Sequence, residues 1–260
     1  MVSLKSEQEI EMMKESNRIV SDTLRLLSAH VAPGVETAEL DRMAEDFIRS
    51  CGAEPAFKGY GGNGRTPAYP STLCVSINEA VVHGIPSRRR LEEGDIVSID
   101  VGTKKNGWFG DGAWTFTVGA VSIDKQRLLD VTRESLFRGI EQARVGNRLY
   151  DISFAVQSHV EEHGYSVVRS LVGHGIGKNL HEEPQVPNFG RAHTGMKLKA
   201  GMTLAIEPMV NMGKAEVVVG EDHWTVLTAD GLPSAHFEHT VYISSNGPVL
   251  LTNHFVEEYA

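Results

Sequence analysis

Asp100 and Asp111 flank the dipeptide Asn106-Gly107, and each lies among apolar residues or glycines, where an unpaired carboxylate is costly to bury. Asn-Gly between two strand-like runs favours a two-residue hairpin turn. Facing residues of that hairpin sum to 213, which sets Asp111 opposite Gly102 and Asp100 opposite Ala113. Both carboxylates then point to one face. Close carboxylates repel unless they share a proton or bind a cation; the alternative is that each caps a turn at the surface. The hairpin alone leaves these readings open.

Three further positions bear on the choice. His174 stands in the glycine-rich run Gly173-His174-Gly175-Ile176-Gly177, seven residues before His181. Glu207 ends the apolar run Leu204-Ala205-Ile206 just before Pro208, which stops ladder pairing, and Glu238 sits in His236-Phe237-Glu238-His239-Thr240-Val241. Together Asp100, Asp111, His174, Glu207 and Glu238 make an oxygen-rich donor set with one imidazole, a set that suits a pair of divalent metals. Bridging carboxylates hold such cations about 3.5–4 Å apart, and water between them ionises near neutral pH. The chemistry this predicts is hydrolysis.

The elements that must position these groups are read from periodicity. Ser6 with Glu9 forms a capping-box signature, and Ile10, Met13, Val20, Leu24 and Leu27 recur at helical spacing, with the helix ending near Val31. Thr37 is read as the cap of a second helix, whose stripe of Leu40, Met43, Ala44, Phe47, Ile48 and Cys51 stops at Gly52. Residues 53–71 are rich in Gly and Pro and read as an irregular loop. Strands are expected at 73–77, 95–101 and 113–118, helices at 124–143 and 150–163, and then short strands as far as Leu251. The fold class is α+β. A shift of 112 residues sets Gly34 on Gly146, Leu40 on Ile152, Ile48 on Val160 and Gly52 on Gly164. We read this as a single domain over 1–260 built from two related halves, with one site between them.

Composition narrows the partners and the compartment. With 34 acidic against 25 basic residues, a net charge of -9 gives no field for holding polyanions. Apolar residues at 41% and charged residues at 23% fit a globular chain. Cys51 and Cys74 are the only cysteines, too few for a disulfide framework, so a cytoplasmic setting is expected. The opening residues lack the apolar stretch of an export signal, and no run approaches the roughly 20 apolar residues of a membrane span. Ser87-Arg88-Arg89-Arg90 is a short basic patch that reads as a solvated turn, with a transient ribosome contact as the alternative.

Over nearly its whole length the sequence resembles the type I methionine aminopeptidases. The stretches that carry the resemblance are Cys74-Val75-Ser76-Ile77-Asn78-Glu79 running into His83-Gly84-Ile85-Pro86, Gly94-Asp95-Ile96-Val97 through Asp100-Val101-Gly102, and Gly110-Asp111. They continue in Gly173 to Gly177, His181-Glu182-Glu183-Pro184-Gln185, Met202-Thr203-Leu204-Ala205-Ile206-Glu207-Pro208 and Phe237-Glu238-His239-Thr240. Ordered motifs of this length are far more specific than any one pair of carboxylates.

The resemblance implies a pita-bread fold, with two pseudo-symmetric αβ halves around a dinuclear metal site. It implies cotranslational removal of the initiator methionine from nascent chains and peptides whose second residue is small. Asp100 would bind one metal, Asp111 and Glu238 would bridge both, and His174 with Glu207 would complete the other; the metals would be cobalt, manganese, iron or zinc. A metal-bridging hydroxide would attack the first peptide carbonyl, Glu207 would carry its proton, and His83 and His181 would contact the substrate beside the scissile amide. Tyr69, Cys74 and Trp224 match positions that line the methionine pocket, and Asn78 and Ser234 match positions around a monovalent-cation site built largely of backbone carbonyls.

Two departures stand out. Leu180 occupies a position where Phe is common, and the segment Gly61 to Ala68 is longer than in compact relatives, which leaves a second pocket position open between Tyr60 and Thr66. The resemblance is to the short form without an N-terminal zinc finger, for which a cytoplasmic monomer is expected. The alternatives are an Xaa-Pro aminopeptidase or prolidase, which normally carries an additional N-terminal domain, and a metal-free binding module, which would have lost the ligands.

Overall fold

The computed structural model describes residues 2–62 and 67–255. Helices α1 (Glu7–Ser28) and α2 (Thr37–Ser50) lead into strands β1 (Glu54–Pro55), β2 (Leu73–Ile77), β3 (Ala80–Val82), β4 (Ile96–Lys105) and β5 (Trp108–Thr117). Helices α3 (Ile123–Gln142) and α4 (Leu149–Glu162) follow, then β6 (Ser166–Val167), β7 (Val172–Gly175), β8 (Glu182–Pro187), β9 (Thr203–Ile206) and β10 (Met209–Asn211). The chain closes with β11 (Val217–Val219), β12 (Val226–Thr228), β13 (Ser234–His236), β14 (Glu238–Ser244) and β15 (Gly247–Leu250).

The helix starts follow local hydrogen bonding. Ser6 Oγ accepts from Glu9 N–H while the Glu9 carboxylate accepts from Ser6 N–H, which closes the predicted capping box on α1. The helix ends at Ser28, before Val31, because the N–H groups of His30 and Val31 both turn onto the Leu27 carbonyl. At α2 the cap is Glu36, not the expected Thr37. The Thr37 hydroxyl is committed elsewhere, accepting from Ser87 N–H at 2.8 Å and donating to Ser87 O at 3.0 Å.

The repeat seen in the sequence is present in space. Shifting α2 by 112 residues gives the bounds of α4, and β1 likewise falls on β6. The Glu39 carboxylate accepts from Glu36 N–H at the start of α2, and the Asp151 carboxylate does the same for Arg148 N–H at the start of α4. Gly52 and Gly164 end the paired helices with φ of 65° and 83°, a left-handed turn that side chains resist.

A nine-stranded sheet runs β1-β4-β5-β14-β9-β7-β8, with β2 beside β4 and β15 beside β14; two three-stranded sheets, β13-β10-β6 and β11-β12-β3, complete the strands. Parity along the large sheet separates core from site. Val97, Ile99 and Val101 of β4 join Leu24, Leu27, Leu40 and Ile48 in one core under α1 and α2. Leu204, Ile206, Val241 and Ile243 join Leu128, Leu136, Ile152 and Val156 in a second core under α3 and α4. Both helical layers therefore cover the same parity, and the alternate residues of these strands face the other way. Among the described residues, no helix is long and apolar enough to cross a membrane.

Candidate metal centre and active site

The hairpin register is the one predicted: Asp100 pairs with Ala113 and Gly102 with Asp111. Glu238 of β14 pairs with the same Ala113 from the other side. Directly paired residues share a face, so Asp100, Asp111 and Glu238 all project from the face away from the helices. Thr240, two residues along β14, pairs with Ala205 of β9, which in turn pairs with His174 of β7. His174 and Glu207, the latter two residues past Ala205, follow onto that face. Gly102 is needed opposite Asp111, since a Cβ there would lie 2.6 Å from the Phe57 ring.

The side chains converge at the floor of a cavity of about 360 Å³ lined by all five of these residues. Ligand atoms of Asp111, His174 and Glu238 lie within 4.8 Å of one another. His174 Nε2 is 3.7 Å from Asp111 Oδ2 and 3.6 Å from Glu207 Oε1. Its Nδ1 donates to Gly175 O at 2.9 Å, which leaves the lone pair of Nε2 aimed at the cluster. Burial, aided by His181, lowers the His174 pKa to about 3, so the ring is neutral and these contacts are not ion pairs.

Four carboxylates share this enclosure. Burial raises Asp100 to about 7 and Glu207 to about 8, and drives Asp111 and Glu238 well above the ordinary carboxylate range, with the neighbouring acids pushing the last two further. Asp100 Oδ1 and Glu238 Oε1 are enclosed with no hydrogen-bond donor. A buried oxygen left so costs about 1–3 kcal/mol, more when charged. The basic groups within 4 Å of Asp111 and Glu207, among the described residues, are the imidazoles of His174 and His236. Burial lowers the pKa of both rings. Orphaned carboxylate oxygens beside one oriented imidazole nitrogen are the donor set of a divalent cation, and the residues fit one.

Above the floor the cavity is aromatic and apolar. Tyr69, Cys74 and Trp224 all line it, as do Tyr60, Leu180 and Phe57. The Tyr69 and Trp224 rings meet edge to face at 5.2 Å, and Trp224 Nε1 donates to Pro67 O at 3.0 Å. Burial pushes the Cys74 thiol well up, so it behaves as an apolar wall and not as a thiolate. His83 and His181 stand on the rim. The first adopts φ of 59°, a left-handed conformation that is strained for a non-glycine residue. Burial, with His236 and His181 nearby, lowers His83 to about 4.

Tyr60 was left open by the sequence, and its placement explains its value: the hydroxyl lies 2.7 Å from His181 Nδ1. Thr66, the other choice, lies outside the described residues. Burial raises the Tyr60 pKa and lowers that of His181, so a neutral phenol meets a neutral ring; with the phenol O–H donating, the ring's own proton is on Nε2. His236 is a second residue that sequence reasoning missed, although its place two residues before Glu238 could have drawn attention to it. Asn78 and Ser234 meet each other but do not line the cavity, and Ser234 N–H donates to Asn78 O at 2.8 Å. The Asn78 side chain is taken up by Asp95, Ile96 N–H and the Lys125 ammonium, so a monovalent cation here would have to be held by backbone carbonyls.

Comparison with known proteins agrees with this geometry. Residues 11–245 match the model of metallopeptidase family M24. The chain is 52% identical over 253 residues to the methionine aminopeptidase of Clostridium acetobutylicum, covering 97% of this chain and 99% of that one. The crystal structure of methionine aminopeptidase from Thermotoga maritima superposes with a TM-score of 0.94 at 44% identity, covering 98% and 100% of the two chains. Prolidase from Pyrococcus furiosus shares the fold at a TM-score of 0.77 and 25% identity, but the match covers 96% of this chain and only 65% of that one. These likenesses bear out the expected pita-bread architecture and favour the methionine aminopeptidases over the prolidase branch. The chain belongs to metallopeptidase family M24 and, within it, to the methionine aminopeptidases.

Proposed function

We propose that this chain removes the N-terminal methionine from peptides and nascent chains with a small second residue, by hydrolysis at a centre of two divalent metals drawn from cobalt, manganese, iron and zinc. The observation that carries the reading is the coincidence, in one cavity, of four carboxylates, those of Asp111 and Glu238 buried and those of Asp100 and Glu207 half-buried, and a neutral imidazole with a soft apolar wall. Asp100, Asp111, His174, Glu207 and Glu238 would hold the metals, which supply a water acidic enough to attack an amide at neutral pH. Tyr69, Cys74, Leu180 and Trp224 take the methionine side chain, a thioether that packs well against aromatic edges. The smaller Leu180 widens that wall relative to a Phe.

Glu207, whose Oε1 lies 3.6 Å from His174 Nε2 at the cluster, is placed to accept a proton from the attacking water and pass it to the leaving amine. His181, held by Tyr60 with its proton on Nε2, presents a donor to the carbonyl oxygen as charge develops there, and His83 faces the scissile amide. Tyr60→Phe is expected to lower kcat/KM by about five- to tenfold, the equivalent of one hydrogen bond of about 1 kcal/mol, with the thermal midpoint unchanged. A rate equal to wild type would remove Tyr60 from the mechanism.

The continuous nine-stranded sheet that spans both repeats supports a single catalytic domain over 1–260. A cytoplasmic monomer is the matching setting. The Arg88-Arg89-Arg90 patch would be the ribosome contact, although Arg90 already binds Gly34 O and Glu36. The reading as a whole is tested by supplying chelator-stripped protein with one divalent metal at a time and following methionine release from Met-Ala-Ser beside an Ala-Pro peptide. Metal-dependent cleavage of the methionyl peptide alone is expected, and cleavage of only the prolyl peptide would move the chain to prolidase chemistry.

A further inference from the structure

His236 is a buried imidazole that the chemistry above leaves unused. It lies on β13 opposite Met209 of β10, and 2% of it is exposed. Its backbone is held from both sides: Thr115 Oγ1 donates to His236 O at 2.7 Å and accepts from His236 N–H at 3.0 Å. Ser98 Oγ sits 2.8 Å from the same Thr115 hydroxyl and fixes it in turn. The ring so placed has Nε2 enclosed and without a hydrogen-bond partner, 3.7 Å from Glu207 Oε2. The other oxygen of that carboxylate, Oε1, is 3.6 Å from His174 Nε2. Glu207 is thus addressed at one oxygen by a candidate metal ligand and at the other by a histidine with no assigned role.

Enclosed ring nitrogens without partners are uncommon, and each asks what completes it. Here the candidate is the oxygen the ring faces. We propose that His236 is the positioning residue of Glu207, its Nε2–H donating to Oε2 so that Oε1 is turned toward the metal-binding cluster. Closing the gap to hydrogen-bond length needs a movement of less than about 1 Å. A carboxylate gripped at one oxygen keeps its plane when the other binds a cation or takes a proton. Loss of such an outer hydrogen bond typically costs about 10–100-fold in metal affinity or activity. The inference rests on reading Glu207 as ligand and proton carrier. A histidine that merely filled space would behave differently, because an unpaired buried polar group can be replaced by an apolar one at no loss.

Three variants separate the two cases: His236→Leu, His236→Gln, which offers an amide N–H from the same backbone, and His236→Met, which stands in for the leucine variant if that one does not fold. Each is stripped with chelator and titrated with manganese by calorimetry, then assayed on Met-Ala-Ser, with thermal midpoints as the control for folding. The apolar variants are expected to bind manganese about 10–100-fold more weakly. Their kcat falls by a similar factor while KM stays within about threefold, and His236→Gln recovers most of both losses. Wild-type manganese affinity in a folded apolar variant would overturn the proposal, as would a glutamine variant as impaired as the leucine one. If wild type binds manganese but releases no methionine, the peptidase reading fails while the titration still decides the role of His236.

Discussion

Without metal, the Asp111→Asn protein is expected to melt above metal-free wild type, yet with manganese restored to both it should hydrolyse Met-Ala-Ser at less than about a thousandth of the wild-type rate, since on the proposed reading bound metal would supply several kcal/mol of transition-state stabilisation. Asp111 is 4% exposed, and burial, then Asp100, then Glu207 drive its pKa well up. At neutral pH the folded wild type must either enclose that charge among other acids or take up a proton that the unfolded chain does not hold. Both options cost stability. An asparagine of the same shape avoids the choice and keeps the bond from Gly112 N–H to Oδ1, now 3.1 Å long. Added manganese is expected to reverse the order, because wild type would gain stability from binding and the variant lacks one of the carboxylates proposed to hold the metal. Thermal scans with chelator and with excess manganese read both arms. An asparagine variant that melts below wild type in chelator would show that the carboxylates are not in conflict, and activity within tenfold of wild type would remove Asp111 from the metal centre.

That conflict is what made the site legible in the sequence, and it marks where legibility ends. The hairpin could be read because its register is set locally: Asn106-Gly107 fixes the turn, and parity then carries Asp100 and Asp111 to one face. The helices and the 112-residue repeat were readable for a similar reason, since caps, stripes and terminal glycines act within a few residues of themselves. Periodicity alone does not bring β14, β9 and β7 alongside β5; that took the resemblance, since pairings such as Glu238 with Ala113 span half the chain. Tyr60 shows the limit clearly. It sits in a glycine-rich loop without periodicity and acts on a histidine 121 residues away. His236 was hidden by a break in pattern, as β13 ends there and β14 starts at Glu238, so the alternation across Phe237 could not be followed. Thr37 was misplaced for want of its partner, Ser87, 50 residues on.

Chelator-stripped protein is further expected to lose stability as pH rises from about 6.5 to 8, the reverse of ordinary acid denaturation. Burial raises Asp100 to about 7 from 3.8 and Glu207 to about 8 from 4.5, so across that interval the folded chain holds protons that the unfolded chain has released. Where the folded state binds more protons, stability falls with pH; the contribution is whole below the unfolded pKa and gone above the folded one. The buried histidines act with opposite sign. His83 and His174 are lowered to about 4 and about 3 from 6.5, so they add stability as pH climbs through 6.5 and little more once the unfolded rings are neutral, about one unit higher. His181, His236, His239 and His254, also lowered by burial, act the same way, and above about pH 7.5 the carboxylates dominate. Each proton retained across the interval is worth about 2 kcal/mol, which lowers the thermal midpoint of a chain this size by about 5 °C or more. Metal removes the effect, since a cation takes the place of the shared protons and binds more tightly as they leave. Thermal scans in chelator at pH 6.5, 7.2 and 8 should therefore show falling midpoints, and the same scans with manganese should not. A flat or rising series in chelator would mean that the four acids ionise together in the empty site, and the case for a cation as the partner they lack would fall with it.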